Sequence, residues 1–367
     1  MLRTIAIAAA LLPGLAAAYD PVLPSFPLQD GWLGADAAYS IPLDTSNRAV
    51  WLFGDTFVRN DGKMSRAGAR MIGNSIAIRN SDGHRQTIEY FWQGKNSASP
   101  DAFFSSGSGG SRFWPEDGFV WDGKLYVCLT QVRNTGDGPF DFQCIGVTMA
   151  AVANPQEPPA RWHIHYSQLY ARTNVLTGIS TVVRGDHAYL YACRDDGANK
   201  GNRSISLGRI ALKALDSDPA AGLEYLNQQN AWVPGSIHED AKVIMDRGVT
   251  EMTVRWHPNC SCWVAIQMSN EFPAREIWRR EAPHLEGPWS EPVPIFTIPE
   301  YRPSNPEYGA DRFFYAGKEH LEFLNPSNGV GVVTYAGLAA NMAHIATDLK
   351  IYVPEPVQLT IDATKNR

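Results

Sequence analysis

Two aspartates, Asp36 and Asp55, stand near the open ends of one predicted β-hairpin, in the segment GADAAYSIPLDTSNRAVWLFGDT. If Asp44–Asn47 form a four-residue turn, Leu43 pairs with Arg48. Equal counting along both strands then places Asp36 opposite Asp55, on the same face of the sheet. Two carboxyls in that position raise the pKa of one and leave the other ionised. The pair therefore has the chemistry of an acid beside a base or a nucleophile.

Two simpler interpretations of this hairpin stay open. A register shifted by one residue would turn one carboxyl to the other face of the sheet. Asp55 could also accept hydrogen bonds in a turn between Gly54 and Thr56. A sequence selected only for sheet stability would avoid two opposed like charges. We therefore predict that Asp36 and Asp55 are the catalytic pair.

Acidic residues also begin two other predicted hairpins. Glu116 and Asp117 lie in WPED, at the start of the second hairpin, and Glu251 lies in VTEM, at the start of the fourth. We expect Glu116 and Glu251 to bind substrate or to tune the pKa values of the two aspartates. Asp117 suits a turn or a cap better, because a glycine follows it. For Glu251 the alternative is an ion pair with Arg255 or Arg247.

Other polar and aromatic side chains complete the predicted site. His320 precedes the predicted fifth hairpin, where it would bind ligand, share a proton or be a satisfied polar group at a strand start. Asn74 is a candidate for binding hydroxyl groups of a ligand. Trp114, like Trp32 and Tyr335, would either stack on the rings of a ligand or belong to the core.

A repeated strand-turn-strand pattern must position these residues. Five segments each hold two apolar strands joined by a turn rich in Gly, Asp, Asn or Pro, at residues 35–56, 116–132, 178–195, 251–269 and 321–337. Single hairpins are marginal in water and must pack together, and radial packing closes such a set. We predict an all-β fold, a five-bladed β-propeller over residues 19–367, with these hairpins as the inner strands. Two face-packed sheets are the alternative, and little helix is expected.

Composition excludes several classes of partner. Against 38 Asp and Glu the chain has 32 Lys and Arg, giving a net charge of −6 without a basic stripe, so we expect no nucleic acid and no anionic membrane partner. This charge balance favours a small or a neutral polymeric ligand. The 11 Trp, 14 Tyr and 15 Phe among many Gly and Pro are typical of a turn-rich β-fold. Nucleophile-elbow, zinc-protease and phosphate-loop motifs are absent. We predict no cofactor and no metal site, and the oligomeric state stays open.

The first residues predict secretion. MLRTIAIAAALLPGLAAAYD combines a basic residue, a short apolar run and small residues before Tyr19. We interpret residues 1–18 as a signal peptide and expect a secreted, extracellular protein, with a buried N-terminal helix as the alternative. The sequons at Asn202 and Asn259 are candidate glycosylation sites in a eukaryotic host.

The cysteines are odd in number, so at least one of the five has no partner within the chain. Cys128 and Cys144 lie on neighbouring predicted strands and either form a disulfide or are buried thiols. Cys260 and Cys262 lack a second cluster at zinc-ligand spacing. The RDDG segment at residues 194–197 is typical of a surface turn rather than a calcium site.

Several motifs resemble those of a known family. They are GWLGAD, VWLFGDT, GNSIAI, VTEMTVRW, CWVAIQMS, HLEGPWSEP, GVVTYA and IYVPEP. They are similar to motifs of secreted bacterial and fungal proteins long catalogued only as a domain of unknown function. The resemblance covers most of the chain after residue 18, and its most specific elements, GAD and GDT, contain Asp36 and Asp55. The chain departs from the family at His320-Leu321-Glu322, where His-Pro-Glu is expected.

Members of that family are glycoside hydrolases that act as endo-D-arabinanases on a five-bladed propeller. The resemblance therefore implies a glycoside hydrolase that cleaves a furanose-rich polysaccharide, with D-arabinan as the expected substrate. A propeller that binds carbohydrate without cleaving it is the alternative. A polysaccharide lyase is disfavoured, because it needs a Tyr or His base and a neutraliser for an acidic sugar. In each case the partner is a polysaccharide or an oligosaccharide.

Overall fold

The computed structural model describes residues 19–107, 110–136, 141–171, 174–194, 203–305, 309 and 311–361. These described residues form five antiparallel sheets, and the innermost strands of consecutive sheets contact one another in a closed ring. The protein is a five-bladed β-propeller, which confirms the predicted fold class. The predicted signal peptide, Asn202 and most of the RDDG turn lie outside the described residues.

Blades 1 and 2 contain the first nine strands. The strands of blade 1 are β1 (Trp32–Pro42), β2 (Arg48–Val58), β3 (Arg70–Ile72), β4 (Ser75–Ser81) and β5 (Gln86–Phe91). Those of blade 2 are β6 (Ser111–Trp121), β7 (Lys124–Asn134), β8 (Phe142–Val152) and β9 (Ile164–Tyr170). In both blades the strands follow one another outwards from the axis, with β3 as an extra partner of β2.

Blades 3 to 5 differ in size. The strands of blade 3 are β10 (Val175–Arg184), β11 (His187–Arg194), β12 (Arg203–Ala211), β13 (Leu223–Leu226), β14 (Trp232–Pro234) and β15 (Met245–Gly248). Those of blade 4 are β16 (Met252–His257), β17 (Cys262–Met268), β18 (Glu276–Ala282) and β19 (Val293–Thr297). Blade 5 consists of β20 (Arg312–His320), β21 (Val330–Ala339) and β22 (Glu355–Thr360).

Helices are short, as expected. The α-helix of the described residues, α1 (Met342–Thr347), starts at Asn341, whose side chain accepts a hydrogen bond from the N–H of Ala343. Single 3₁₀ turns occur at Pro159–Arg161, Leu212–Ala214, Pro299–Tyr301 and Leu321–Phe323. None of the helices in the described part of the chain combines the length and the apolar character that a membrane crossing needs.

The five innermost strands, β1, β6, β10, β16 and β20, all begin at one end of the propeller, which we call the upper face. Because each inner hairpin turns back at the opposite end, the connections after β2, β7, β17 and β21 also lie on the upper face. Side chains at the beginnings of the inner strands and in these connections can therefore meet.

Apolar clusters fill the interfaces between neighbouring blades. One cluster joins blades 1 and 2 through residues such as Leu52 and Leu125, and another joins blades 2 and 3 through Tyr126 and Leu190. Further clusters join blades 3 and 4, blades 4 and 5, and blades 5 and 1. The alternating apolar residues of each inner strand thus face a neighbouring blade, as in packed sheets generally.

Polar side chains connect the inner strands around the axis. The carboxylate of Asp117 accepts a hydrogen bond from the Thr181 N–H at 2.8 Å, and the Ser180 hydroxyl accepts one from the Val254 N–H at 2.8 Å. These bonds link blade 2 to blade 3 and blade 3 to blade 4. Similarly, Thr253 Oγ1 accepts a hydrogen bond from the backbone N–H of residue 319, at 3.0 Å. Buried groups that would otherwise lack partners are thereby satisfied.

The predicted start of blade 5 at residue 321 is wrong. Its innermost strand is β20, and Leu321–Phe323 form a 3₁₀ turn after it. The apolar residues of this turn resemble a strand in the sequence, whereas the true strand β20 buries the charged residues Lys318 and Glu319. Phe323 packs near the Trp51 ring of blade 1, with ring centroids 6.4 Å apart, and so helps to close the propeller.

For Cys128 and Cys144 the structure agrees with the second alternative, thiols that no disulfide joins. Cys128 and Cys144 lie on the adjacent strands β7 and β8, but Cys128 is opposite Met149, and no disulfide joins the two cysteines. The disulfide of the described residues is Cys260–Cys262, in the turn between β16 and β17.

Candidate active site

Interruptions of the strand pairing direct side chains towards the centre of the upper face. The ladder between the two innermost strands is irregular in four blades, at Ala35–Tyr39, Pro115–Gly118, Thr177–Ser180 and Tyr315–Lys318. Extra residues in one strand bend it and turn its side chains. Asp36 and Glu116 lie inside two of these interruptions, and Glu251 lies directly before β16.

The hairpin that carries the two aspartates forms the predicted turn but not the predicted ladder pair. The N–H of Leu43 donates to the carbonyl of Arg48 at 2.8 Å, and the counted register holds as far as Tyr39. The counted register returns at Ala35, which pairs with Thr56, but Asp36 and Asp55 fall within the irregular segment and do not form a regular ladder pair. The two alanines that follow Asp36 have positive φ angles of 65° and 68°, which bend β1 away from regular pairing.

Asp36 accepts hydrogen bonds from two tyrosines of blade 5. The hydroxyls of Tyr315 and Tyr352 donate to its Oδ2 at 2.8 and 3.1 Å. Enclosure by the blades and, next, the charges of Asp55 and Glu251 raise the pKa of Asp36 from 3.8 to about 7, although the tyrosines act in the opposite direction. Asp36 therefore keeps a large protonated fraction at neutral pH, as a general acid requires.

Two glycines leave room for this arrangement. A Cβ atom on Gly54 would lie 2.3 Å from Oδ1 of Asp36, so only glycine fits beside the carboxyl. Gly34 has a φ angle of 115°, and a Cβ there would lie 2.3 Å from the carbonyl oxygen of Tyr352. These are the glycines of the GAD and GDT motifs, so both motifs are explained by close packing around Asp36.

Asp55 has different partners from Asp36. Its Oδ1 accepts a hydrogen bond from Trp114 Nε1 at 3.0 Å and lies 3.4 Å from Nε of Arg112. Loss of water raises the pKa of Asp55, while Arg112 and Trp114 counteract the rise. Because the cation lies beside Asp55, this aspartate is the favoured ionised member of the pair, and Asp36 is the favoured acid.

Glu251 reaches the site through an ion pair with a buried lysine. Lys318 Nζ donates to Glu251 Oε1 at 2.7 Å, and the lysine side chain is fully buried while the glutamate side chain is 19% exposed. Glu251 also raises the pKa of Asp36 and that of Glu116, so its charge acts on both. Glu251 therefore lies close enough to Asp36 and Glu116 for its charge to act on both carboxyls.

Lys318 also fixes the backbone around Asp36. Its ammonium donates to the carbonyls of Ala37 at 2.9 Å and Ala316 at 3.1 Å. Both alanines adopt positive φ angles, 65° and 61°, which are unusual for residues other than glycine. One irregular segment follows Asp36, and the other follows Tyr315, which donates to Asp36. The Lys318 ammonium thus holds both of the backbone segments that position the Asp36 carboxyl.

Glu116 lies deeper, at the axis. Its Oε1 accepts a hydrogen bond from Thr130 at 2.9 Å, and its Oε2 lies 3.4 Å from the Tyr39 hydroxyl. Tyr39 donates its one proton to the carbonyl of Ile179 at 2.8 Å, so its lone pairs face the carboxyl. Burial, followed by the charge of Glu251, raises the pKa of Glu116 to about 8. The surroundings of Glu116 therefore favour its protonated form near neutral pH, and the residue is only 4% exposed.

Arginine does not pair with Glu251, and that alternative is wrong. Arg255 instead contacts the fully buried Asp117, with Nη1 3.0 Å from Oδ2, while Arg247 pairs with Glu291. The expected turn or cap role of Asp117 is therefore also incomplete, because its carboxylate is part of a buried ion pair that links blades 2 and 4.

His320 does not lie in the candidate site. Its Nδ1 is 2.8 Å from the hydroxyl of Ser40, and its Nε2 is 2.8 Å from the hydroxyl of Thr334. Only 1% of the residue is exposed, and burial lowers its pKa well below the usual value. His320 is a satisfied polar group that joins blades 5 and 1, which was the alternative interpretation.

Asn74 is also a structural residue. Its amide donates to the carbonyls of Phe104 and Phe113, each at 2.9 Å, and its Oδ1 accepts from the N–H of Phe104 at 2.7 Å. The residue is fully buried, so its hydrogen-bonding groups are directed at the backbone between blades 1 and 2. The structure therefore does not place it on a ligand-binding surface.

The three aromatic candidates separate into two groups. Trp32 and Tyr335 are buried in the core, at 0% and 2% exposure. Trp114 is half-buried, and its indole both donates to Asp55 and lies under the guanidinium of Arg112, 5.1 Å from the ring centroid. Trp114 thus reaches the site as predicted, but its main contact is with a catalytic candidate.

Sequence reasoning missed the residues that hold the carboxyls: Tyr315, Tyr352, Lys318, Arg112 and Arg66. Arg66 is 3% exposed and donates to four backbone carbonyls, those of residues 33, 345, 348 and 349. It thereby fastens the connection that carries Tyr352 to β1. A signal for Lys318 did exist, because a lysine that directly follows the segment FFYAG is unusual for a buried strand.

The described residues contain no group of three or more His, Cys, Asp and Glu side chains arranged to hold a metal ion. Arg112 forms an ion pair with Asp55, and Lys318 forms one with Glu251. The arrangement offers a partly protonated carboxyl next to an ionised one, which can move a proton and stabilise a developing positive charge.

Two solved structures illustrate what this chain is similar to. A candidate hydrolase from Bacteroides ovatus ATCC 8483 superimposes with a TM-score of 0.68 and 15% identity, over 90% of this chain and 86% of that one. An endo-arabinase from Bacteroides thetaiotaomicron VPI-5482 gives 0.44 and 15% identity over 93% and 99% of the two chains. Among curated protein sequences, none matches this chain.

A family model described as "Domain of unknown function (DUF5005)" matches residues 25–346. The match spans β1 to α1 and includes every candidate site residue except Tyr352. The chain therefore belongs to the DUF5005 family.

Proposed function

We propose that this protein is a glycoside hydrolase that cleaves a neutral, furanose-rich polysaccharide within the chain, with D-arabinan as the substrate. The observation that carries the proposal is the pair of aspartates with unequal surroundings. Asp36 is bonded by tyrosine hydroxyls and has a pKa of about 7, whereas Asp55 lies beside Arg112. Fold similarity alone would not support an activity.

In the proposed reaction Asp36 gives its proton to the glycosidic oxygen as the bond between that oxygen and the anomeric carbon breaks. Asp55 acts in one of two ways. As a base it takes a proton from a water that attacks the anomeric carbon, which inverts the configuration. As a nucleophile it forms an ester with the anomeric carbon. Water then hydrolyses this ester, with the Asp36 carboxylate as the base, and the two steps together retain the configuration. Either route consumes one water for each bond cleaved.

The charges of the site favour a neutral substrate. In the part of the chain that the structure describes, the cations that contact these carboxyls are Arg112, at Asp55, and Lys318, at Glu251. An anionic sugar would therefore meet acidic groups without a cation to neutralise it. This disfavours a lyase acting on uronic acids. The choice of D-arabinan rests on the resemblance of the GAD and GDT segments to the endo-D-arabinanase family.

The experiment is an incubation of the protein with D-arabinan, L-arabinan, galactan and a uronic acid polymer, followed by product analysis. New reducing ends from D-arabinan, in fragments of several lengths, are expected. Unsaturated products from the uronic acid polymer would contradict the proposal in favour of a lyase. Retention on a polysaccharide column without any product would contradict it in favour of a binding protein.

We further propose that the protein acts outside the cell. The apolar leader in residues 1–18 supports export, and the Cys260–Cys262 disulfide suits an oxidising compartment. Asn259 lies exposed in the turn before that disulfide, at the end opposite the upper face, where a glycan would not obstruct the site. N-terminal sequencing of protein from the medium should begin near Tyr19, and a sequence that starts MLRTI would contradict export by this leader.

A further inference from the structure

Five of the ten exposed large apolar side chains of the described residues lie on the upper face. They are Phe272 at 72% exposure, Met64 at 53%, Met342 at 46%, Met71 at 42% and Phe142 at 39%. Topology places all five there, in the connections after β2, β17 and β21, in β3 and at the start of β8. Clustered exposed apolar groups mark a binding surface more often than isolated ones do.

The two aromatic members of this set are linked to different aspartates. On the side of blade 2, the Phe142 ring lies 4.6 Å from the Trp114 ring, edge to face, and Trp114 donates to Asp55. On the side of blade 4, the Phe272 ring lies 5.2 Å from that of Phe313. Phe142 is thus separated from the ionised carboxylate of Asp55 by one ring, that of Trp114.

On the side of blade 4, a series of aromatic rings leads from Phe272 to the proposed acid, Asp36. Phe313 lies 6.0 Å from Tyr315, ring centroid to ring centroid, and the Tyr315 hydroxyl donates to Asp36. Around the propeller the order of blades is 2, 1, 5 and 4, and the aspartates belong to blade 1. The exposed rings of Phe142 and Phe272 therefore stand on opposite sides of the carboxyl pair.

We propose that Phe142 and Phe272 are sugar-binding platforms on the two sides of the cleaved bond, so that a neutral polysaccharide lies across blades 2, 1, 5 and 4. The apolar faces of sugar rings pack against aromatic faces, and their hydroxyls remain available to polar groups and water. Because the positions of the platforms are defined relative to Asp36 and Asp55, the assignment of sides rests on the proposed function.

The occupant is a neutral glycan chain because the platforms are continuous with the carboxyl site. Acidic groups at the centre repel an anionic polymer, and the chain has a net charge of −6. A platform on each side of the reacting centre suits a substrate that continues in both directions. This is the geometry of cleavage within a chain, since a terminal-residue enzyme needs such a surface on one side only.

Binding is best measured on the Asp55→Asn variant, which should not turn over its ligand. We would titrate it with D-arabinan oligosaccharides of increasing length, with and without Phe142→Ala or Phe272→Ala. Each alanine should weaken the binding of long oligosaccharides about tenfold, which is the effect of losing one aromatic contact. The affinity for the shortest oligosaccharides should stay the same. Phe272→Tyr should restore affinity and Phe272→Leu should not, since only tyrosine keeps the aromatic face.

Val293→Ala is the matched control, because Val293 is 58% exposed but lies on the outermost strand of blade 4. Unchanged affinity in both phenylalanine variants at every length would overturn the proposal, as would an equal loss in Val293→Ala. Sedimentation that shows a dimer of the wild type and a monomer of Phe272→Ala would assign this surface to a second copy of the chain instead.

The outcomes also separate this inference from the proposed function. If the wild type cleaves arabinan and the alanine variants bind like their parent, only the platforms are wrong. If the protein binds but never cleaves, and the alanines reduce binding, the platforms stand and hydrolysis is wrong. If no neutral glycan is bound or cleaved, both fail together.

Discussion

Lys318→Met should destabilise the protein and disturb the acid at the same time. The lysine ammonium is the shared donor to Glu251, Ala37 and Ala316, at 2.7, 2.9 and 3.1 Å. Methionine fills similar space but donates no hydrogen bond and carries no charge. The variant therefore leaves one carboxylate and two buried carbonyls without their partner.

The magnitude follows from these lost contacts. Removal of one partner from a buried ion pair costs about 3 to 5 kcal/mol, largely because the remaining charge is uncompensated. Since Glu251 retains 19% exposure, water compensates in part, and we expect a loss near the lower end, about 3 kcal/mol. In the double variant Lys318→Met/Glu251→Gln the uncompensated charge is gone. About half of the loss should then be recovered, because the two carbonyls remain unbonded.

Urea unfolding at neutral pH measures both values. Lys63→Met is the matched control, because Lys63 is 71% exposed and lies 3.7 Å from Asp61 at the surface, and its removal should not measurably change stability. The reasoning is refuted if Lys318→Met is as stable as the wild type. It is also refuted if the double variant is no more stable than the single one, because the lysine would then not balance Glu251.

Three further changes test the surroundings of the pair. Glu116→Gln should gain stability relative to the wild type between pH 5 and pH 9. A folded-state pKa of about 8 makes the wild type lose stability as pH rises from 4.5 to 8, and glutamine does not titrate. Parallel curves of melting temperature against pH for the two proteins would contradict this. Arg112→Met should move the acidic limb of the pH profile of kcat/KM to higher pH, since the cation beside Asp55 lowers the pKa of that carboxyl. An acidic limb at the wild-type pH would show that ionisation of Asp55 does not control it. Arg66→Lys should unfold at a lower urea concentration and expose the connection that carries Tyr352 to protease, because one ammonium cannot reach four carbonyls. Protease resistance equal to that of the wild type would show that Arg66 does not fasten this connection.

The hairpins could be predicted because their determinants are local. Turn residues and flanking β-branched and aromatic residues occur together within each segment, so the turn between Leu43 and Arg48 formed as expected. The interruptions of the ladders could not be predicted. They depend on alanines at positive φ, such as Ala37 and Ala316, and alanine gives no local signal for that conformation.

Residues that hold the site come from distant segments. Tyr352 is 316 residues from Asp36, and Lys318 is 67 residues from Glu251. Sequence spacing cannot indicate such contacts, because they exist only once the five blades close. For the same reason the sequence suggests ligand binding for His320 and Asn74, whose actual partners lie across the blade interfaces.

The central claim is that Asp36 and Asp55 together hydrolyse arabinan. The most direct measurement is the rate of reducing-end release from D-arabinan by the wild type, Asp36→Asn and Asp55→Asn, with Asp122→Asn as a control in an exposed turn. We expect each of the two site variants to fold normally and to lose about 10²-fold or more in rate, the usual contribution of an acid or a base, while Asp122→Asn keeps full activity. Near-native turnover by either site variant would contradict the assignment.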